Sequence, residues 1–193
     1  MASGCMSRIV HAGMKRVMVA NASTGKACSG HASLEGSRLR LDATRRWLDS
    51  AVIAEKLCPF AAAVREEGAK LRLRASDAFD ADGVVAEVAE EAALLVAGIK
   101  GTALAPETTL LVLDRDLPFC ASWQDLIRLS WRLQSEALCA RGFEHQLQLV
   151  LFHPEAVHSA YSEELPDAAD YSIRSPFPTV HLLREVDVLR AVN

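Results

Sequence analysis

The chain has 193 residues, half of them hydrophobic, and a net charge of -4, which is enough apolar material for one well-buried domain. That charge excludes a nucleic-acid role resting on bulk electrostatics, because neutralising phosphates needs clustered Lys and Arg. No stretch approaches the roughly 18 uninterrupted apolar residues of a membrane-spanning helix, since charges, glycine or proline break every run.

The charge is unevenly spread. Residues 1–41 hold Arg8, Lys15, Arg16, Lys26, Arg38 and Arg40 against a single acid, Glu35, so the remainder carries a net -9. This segment is rich in Ala, Ser and Gly and lacks sustained apolar periodicity, the composition of a mitochondrial or plastid transit peptide. The alternative is a disordered tail without a targeting role. A secretory signal is excluded, because its apolar core would be cut by His11, Gly13, Lys15 and Arg16. Residues 1–41 are therefore read as a leader and 42–193 as one globular domain, with the protein expected inside an organelle.

Asp42 is the expected N-cap of a first helix, whose buried stripe runs Trp47, Ala51, Ala54 and Cys58 beside Leu48, Val52 and Leu57. Cys58-Pro59 must end it. "KLRLR" (70–74) alternates apolar and basic as a half-buried strand does, and "GVVAEVAEEAALLVAGI" (83–99) is helical. "TTLLVL" (108–113) suits a central strand. Ser122 and Asp125 make a capping box for a helix that carries Leu126, Ile127, Trp131 and Leu138 and ends at Gly142. "QLQLVLFH" (146–153) is a third strand, expected to be central, and a long acidic loop, "EAVHSAYSEELPDAADY" (155–171), follows.

Beyond Pro176 and Pro178, "TVHLLREVDVLRAV" (179–192) spaces Leu182, Val186 and Leu189 as a helix, with Thr179 as cap. The alternative makes "TVHLL" a fourth strand before a shorter helix. Only the helical reading sets His181 and Glu185 on one face as an i, i+4 pair. The order α-β-α-β-α-β followed by a C-terminal helix predicts a single α/β domain on a small three- or four-stranded sheet. A ferredoxin-like α+β arrangement is the alternative. The three body cysteines, Cys58, Cys120 and Cys139, form no CxxC pair and fit reduced thiols better than a disulfide framework or a zinc site.

From about Trp47 onward the chain resembles the domain-of-unknown-function family 1415, through "LCPF" (57–60), "TTLLV" (108–112), "FHP" (152–154) and "RSPFPTVHLLRE" (174–185). The resemblance implies no assigned activity. The chain departs from the family pattern at "VHSAYSEE" (157–164), where an aromatic-Ala-Gly-Thr stretch is usual, and at Asp170 and Ile173, where asparagines are common.

The chemistry-bearing residues cluster at segment ends. Cys58 reads as a nucleophile if it caps a second helix, or as a small buried hydrophobe continuing the Trp47 stripe. His153, at the end of the third strand, is a candidate general base or a buried histidine bonded to a loop carbonyl. Arg174 and Ser175 could clamp an anionic substrate, or Arg174 could pin the loop by pairing with Glu163, Asp167 or Asp170. His181 and Glu185, if helical, make an acid/base pair or contribute two metal ligands, with Cys58 or His153 as a third. The three tryptophans, Trp47, Trp123 and Trp131, read as core. Phosphate-loop, nucleophile-elbow, dinucleotide and H-E-x-x-H motifs are missing from the sequence, so no cofactor and no metal are expected.

Two functions follow. One is a small enzyme acting on an anionic small molecule, with Cys58, His153 and His181 catalytic and Arg174, Ser175 and Glu185 binding substrate. The other is a non-catalytic accessory or assembly subunit that docks a protein partner through the acidic residues 162–170.

Overall fold

The computed structural model describes residues 34–58, 61–66, 70–101, 105–158 and 168–192. The transit-peptide reading falls on residues that lie mostly outside these ranges.

Helix α1 (Leu34–Trp47) begins well before Asp42, which is not its cap but sits inside it, paired with Arg45 at 2.8 Å. Arg40 explains the extension. Only 3% exposed, it donates to the Asp114 carboxylate at 2.7 Å and to the Ser76 carbonyl at 3.1 Å, so it ties the helix to segments that follow two different strands. The helix continues through a π-helical stretch, Leu48–Ile53, that buries Leu48 and Val52, and the chain turns at Lys56, whose φ of 55° lies in the left-handed region. Leu57 is 44% exposed and so leaves the stripe expected to bury it. A short helix, α2 (Ala61–Glu66), follows.

Arg40→Met is expected to lower the unfolding free energy by about 2 kcal/mol, because Asp114 and the Ser76 carbonyl lose a donor that no other group replaces. Arg40→Lys should recover little, since a single ammonium cannot span both acceptors. A urea-unfolding midpoint unchanged by Arg40→Met would remove this anchoring role.

Strands β1 (Leu71–Ala75), β2 (Thr108–Val112), β3 (Leu147–Phe152) and β4 (Thr179–Arg184) form one sheet in the order β1-β2-β4-β3. β1 and β2 are parallel, linked through helix α3 (Ala81–Ile99), whereas β4 runs antiparallel to both β2 and β3. The α/β expectation therefore holds, with a mixed sheet. β3 is an edge strand rather than a central one, because β4 inserts beside β2: His181 pairs with Leu110 on one side and Val150 on the other.

Residues 179–184 are thus a strand, not the start of a helix, and only α5 (Glu185–Val192) is helical. The structure thus takes the alternative, a fourth strand before a shorter helix, and the ambiguity between the two readings has a physical cause. A strand with packing on both faces loses the polar/apolar alternation that marks a half-buried one, and its apolar run then matches helical spacing equally well.

Two helices open on side-chain caps, of which Ser122 was expected. Asp80 accepts the Gly83 amide at 2.7 Å and opens α3, and Ser122 accepts the Asp125 amide at 3.2 Å and opens α4 (Trp123–Arg132). After further helical turns the chain leaves through Gly142, whose φ of 72° needs no Cβ to be accommodated.

Alternation along the strands divides the core in two. Leu111, Val180, Leu182, Leu147 and Leu151 pack with α3 and α4, while Leu110 and Phe152 face Leu48, Val52 and Trp47 on the α1 side. The result is helices on both faces of the sheet. Trp123 is core, but Trp131 is 54% exposed, contrary to expectation. Among the described residues, Cys58 and Cys120 are free thiols. Among the described residues no helix is long and apolar enough to cross a membrane.

Candidate functional site

The "FHP" and "RSPFP" segments meet at one end of the sheet, where β3 finishes and β4 begins. His153 is 2% exposed there, and both of its ring nitrogens are engaged: the Glu155 amide donates to Nδ1 at 3.0 Å, and Nε2 lies 3.1 Å from the Cys120 carbonyl. An accepting Nδ1 and a donating Nε2 define a neutral imidazole. Burial pushes its pKa below the ordinary histidine value, which keeps it neutral. Neither nitrogen is left for a substrate proton. His153 instead fastens the loop around Cys120 to the end of β3, and its own amide reaches the Ile173 carbonyl at 3.2 Å.

The neighbouring polar groups are spent in the same way. Arg174 donates from Nε to the Ala156 carbonyl at 3.1 Å, lies 3.7 Å from Asp170 and stacks over Tyr171, with the guanidinium carbon 4.8 Å from the ring centroid. This is the loop-pinning role. Ser175, 5% exposed, donates to the Phe177 carbonyl at 2.6 Å, and that carbonyl also accepts from Thr179 at 2.9 Å. Asp170, counted among the docking acids, is 4% exposed and turned inward, where it accepts the His158 amide at 2.7 Å. Residues 162–167 of that docking segment lie outside the described residues.

His181 lies elsewhere, in the middle of β4 on the α1 side. The Thr108 hydroxyl donates to the Leu182 carbonyl at 2.8 Å, so its oxygen accepts from His181 Nε2 at 2.7 Å. Phe152 packs against the imidazole with ring centroids 5.8 Å apart, and Trp47 meets Phe152 edge-on at 5.4 Å. This apolar enclosure pulls the His181 pKa down to about 4. Nδ1 has no hydrogen-bond partner among the described residues.

Cys58 is half-buried at the margin of the Leu48, Val52 and Leu110 cluster that Phe152 also joins. The structure therefore brings Cys58 and His181 to one face of the sheet and leaves His153 and Arg174 with the packing of the other. Glu185 opens α5, past the end of β4. Its amide donates to the Gln146 carbonyl at 2.8 Å and its carboxylate accepts from Gln148 at 2.6 Å, so the i, i+4 pair with His181 does not form.

The thiols give a direct check on this geometry. Cys120 is buried, bonded to the Asp114 carbonyl, and its pKa is pushed up to about 12 by burial, with Asp114 and Asp125 adding to the shift. In native protein at pH 8, residue-resolved mass spectrometry after alkylation should find Cys58 labelled and Cys120 protected. Equal labelling of the two would mean that the loop carrying Cys120 opens freely.

Sequence reasoning missed a charged network on the α3 side. Glu91, wholly buried, accepts Arg72 at 2.7 Å, Arg74 at 3.0 Å and Thr109 at 3.3 Å. Glu87 takes Arg74 at 3.1 Å, the Ser76 hydroxyl at 2.5 Å and the Asp77 amide at 3.0 Å. The signal was present, because Glu87 and Glu91 are four apart and share the core-facing side of α3 with Val84, Val88 and Leu95, opposite the alternating arginines of β1. Among the described residues, no group of three or more His, Cys, Asp or Glu is placed to hold a metal ion.

No curated protein and no solved structure matches the chain. One family model does, over residues 40–193, a span that contains every segment on which the sequence resemblance rested; the chain belongs to the family described as protein of unknown function DUF1415.

Proposed function

We propose that this protein is a non-catalytic accessory or assembly subunit, in which the "FHP" and "RSPFP" segments form a structural joint. One observation carries this reading: both ring nitrogens of His153, Nε of Arg174 and the hydroxyl of Ser175 are bonded to backbone carbonyls or amides of the same chain, and the Arg174 guanidinium also faces Asp170 and Tyr171. A base or an anion clamp needs a group left over for substrate, and such constellations are recognised by mutual geometry rather than residue type.

The test is the native size of the protein in extracts of its own cells, beside Cys58→Ser and His181→Gln variants of unchanged melting temperature. A stoichiometric assembly that both variants still enter supports the accessory role. A free protein, or an assembly that either variant alone abolishes, overturns it.

A second reading keeps the enzyme, moved to the α1 side, with Cys58 as nucleophile and His181 as base. It is favoured by the shared face of these two residues and by the open Nδ1 of His181. Alkylation of Cys58 across pH discriminates. An apparent pKa well below the roughly 8.5 of a free thiol, rising in His181→Gln, would support a thiolate–imidazole pair. A profile that ignores the substitution would exclude it. The basic, acid-poor leader supports an organellar location for either role, which the distribution of a full-length fluorescent fusion would test.

A further inference from the structure

Two clefts flank strand β1. One of about 240 Å³ lies between β1, α1 and α2 and is lined on the strand by Leu71 and Leu73, while one of about 430 Å³ lies between β1 and α3 and is lined by Arg72 and Arg74. Successive β1 residues thus line opposite clefts, as the two-residue period of a strand requires. Between the clefts runs a free edge of the sheet, since among the described residues β1 has β2 as its one strand neighbour. The Lys70 carbonyl and the Ser76 amide both bond to β2. The alternation of a parallel ladder then turns the amides and carbonyls of Leu71 and Leu73 away from β2, where neither has a backbone partner among the described residues. Both residues are only half-buried.

The two sides differ in charge. On the α1 side Arg38 and Arg45 share Asp42, at 3.9 and 2.8 Å, and Arg65 holds Asp49 at 3.1 Å, so three guanidinium groups meet two carboxylates and one positive charge is left over. On the α3 side Arg72 and Arg74 meet Glu87, Glu90 and Glu91, so no cation is left over there. What α3 exposes beside that groove is apolar, Ala93 and the 42% exposed Leu94. A second copy of β1 is a poor occupant of the edge, because antiparallel pairing about Leu73 would set Arg72 opposite Arg74.

We propose that the β1 edge binds an extended peptide segment of a partner protein, added antiparallel as a fifth strand, whose side chains alternate acidic and apolar. Main-chain bonds to Leu71 and Leu73 supply affinity, and the flanking clefts read alternate side chains, the acidic ones on the α1 side and the apolar ones beside Ala93 and Leu94. Peptide residues directly opposite Leu71 and Leu73 share their face of the sheet, so the acidic residues are the ones whose amides meet β1. Such docking rests on the accessory reading, to which it adds the partner's chemistry and a surface separate from residues 162–170.

The test uses the isotope-labelled full chain and a capped synthetic peptide alternating glutamate and valine. One control peptide has the same composition with its glutamates and valines in separate blocks, and another has lysine in place of glutamate. The alternating peptide should bind saturably and slow hydrogen exchange at the Leu71 and Leu73 amides, and both controls should bind roughly tenfold or more weakly. N-methylation of the glutamates should abolish binding, because their amides face β1, whereas N-methylation of the valines should leave it intact. Leu94→Gln should weaken the peptide by roughly fivefold through lost apolar contact. Leu94 is exposed, so the fold should survive, and Arg65→Gln, also at an exposed position, serves as a second variant if the first melts early. Absence of saturation, equal binding of either control, unchanged exchange at Leu71 and Leu73, any other methylation pattern, or unchanged affinity in the folded variant would each overturn the proposal. Peptide binding by a protein that runs free in extracts keeps the edge and refutes the accessory role, and an assembled protein that ignores the peptide does the reverse.

Discussion

Between pH 7 and pH 5 the wild-type protein should lose about 2 kcal/mol more stability than a His181→Leu variant. The imidazole is enclosed by Phe152 and by the flanking strands, and its pKa falls to about 4 from the ordinary 6.5. The folded state therefore resists protonation while the unfolded chain accepts it. From pH 6.5 down to about 4 the unfolded state binds more protons, so stability falls with pH across that window and is fully present above it. His153, also held neutral by burial, acts in the same direction but is common to both proteins, so the comparison isolates His181. Leucine should be tolerated at pH 7, because Thr108 loses a donor yet keeps its bond to the Leu182 carbonyl, and the neighbours across the sheet are Leu110 and Val150. Chemical denaturation at both pH values gives the answer. Parallel losses in the two proteins would mean that His181 titrates normally and is open to water.

Glu91→Ala should be the more damaging change at neutral pH, at about 3 kcal/mol. Glu91 sits on the core face of α3 with no exposed surface, and its two oxygens serve Arg72, Arg74 and Thr109 at once. Removing it leaves a cavity beside the sheet and two guanidinium groups without their shared anion. The full cost of a desolvated charge does not arise, because Arg72 is 44% exposed and can turn to water, and Arg74 keeps Glu87. Arg72→Thr/Glu91→Leu, which removes charge from both sides and fills the space, should recover more than half of the loss. Urea unfolding of the single and double variants is the measurement. A double variant no better than Glu91→Ala would show that Arg72 contributes nothing to the network.

Both predictions concern side chains whose surroundings the sequence only half discloses. That β1 alternates leucine and arginine was legible, and so was the helix opposite it. That the two arginines meet two buried glutamates required β1 and α3 to be packed face to face. For the candidate site the gap is wider. Chemical type singled out His153, Arg174 and Ser175, and these do gather at one end of the sheet, but type says nothing about whether a polar group is free or already bonded.

What the sequence by itself determined is what short-range forces control. Asp80 and Ser122 cap their helices through amides three residues on, and Gly142 ends one because only a residue without Cβ enters the left-handed region cheaply. The α/β class, and the order of the main helices and strands as far as β3, follow from such local signals and from hydrophobic period. Tertiary structure decided the rest. Arg40 draws α1 back to Leu34 because its partner, Asp114, lies 74 residues away. β4 became a strand because β2 and β3 offered it hydrogen bonds on both edges, a choice that the apolar run of 179–184 leaves open in isolation. The imidazoles of His153 and His181 are held neutral by enclosure on opposite faces of one sheet, and burial of that kind exists only once the layers have closed.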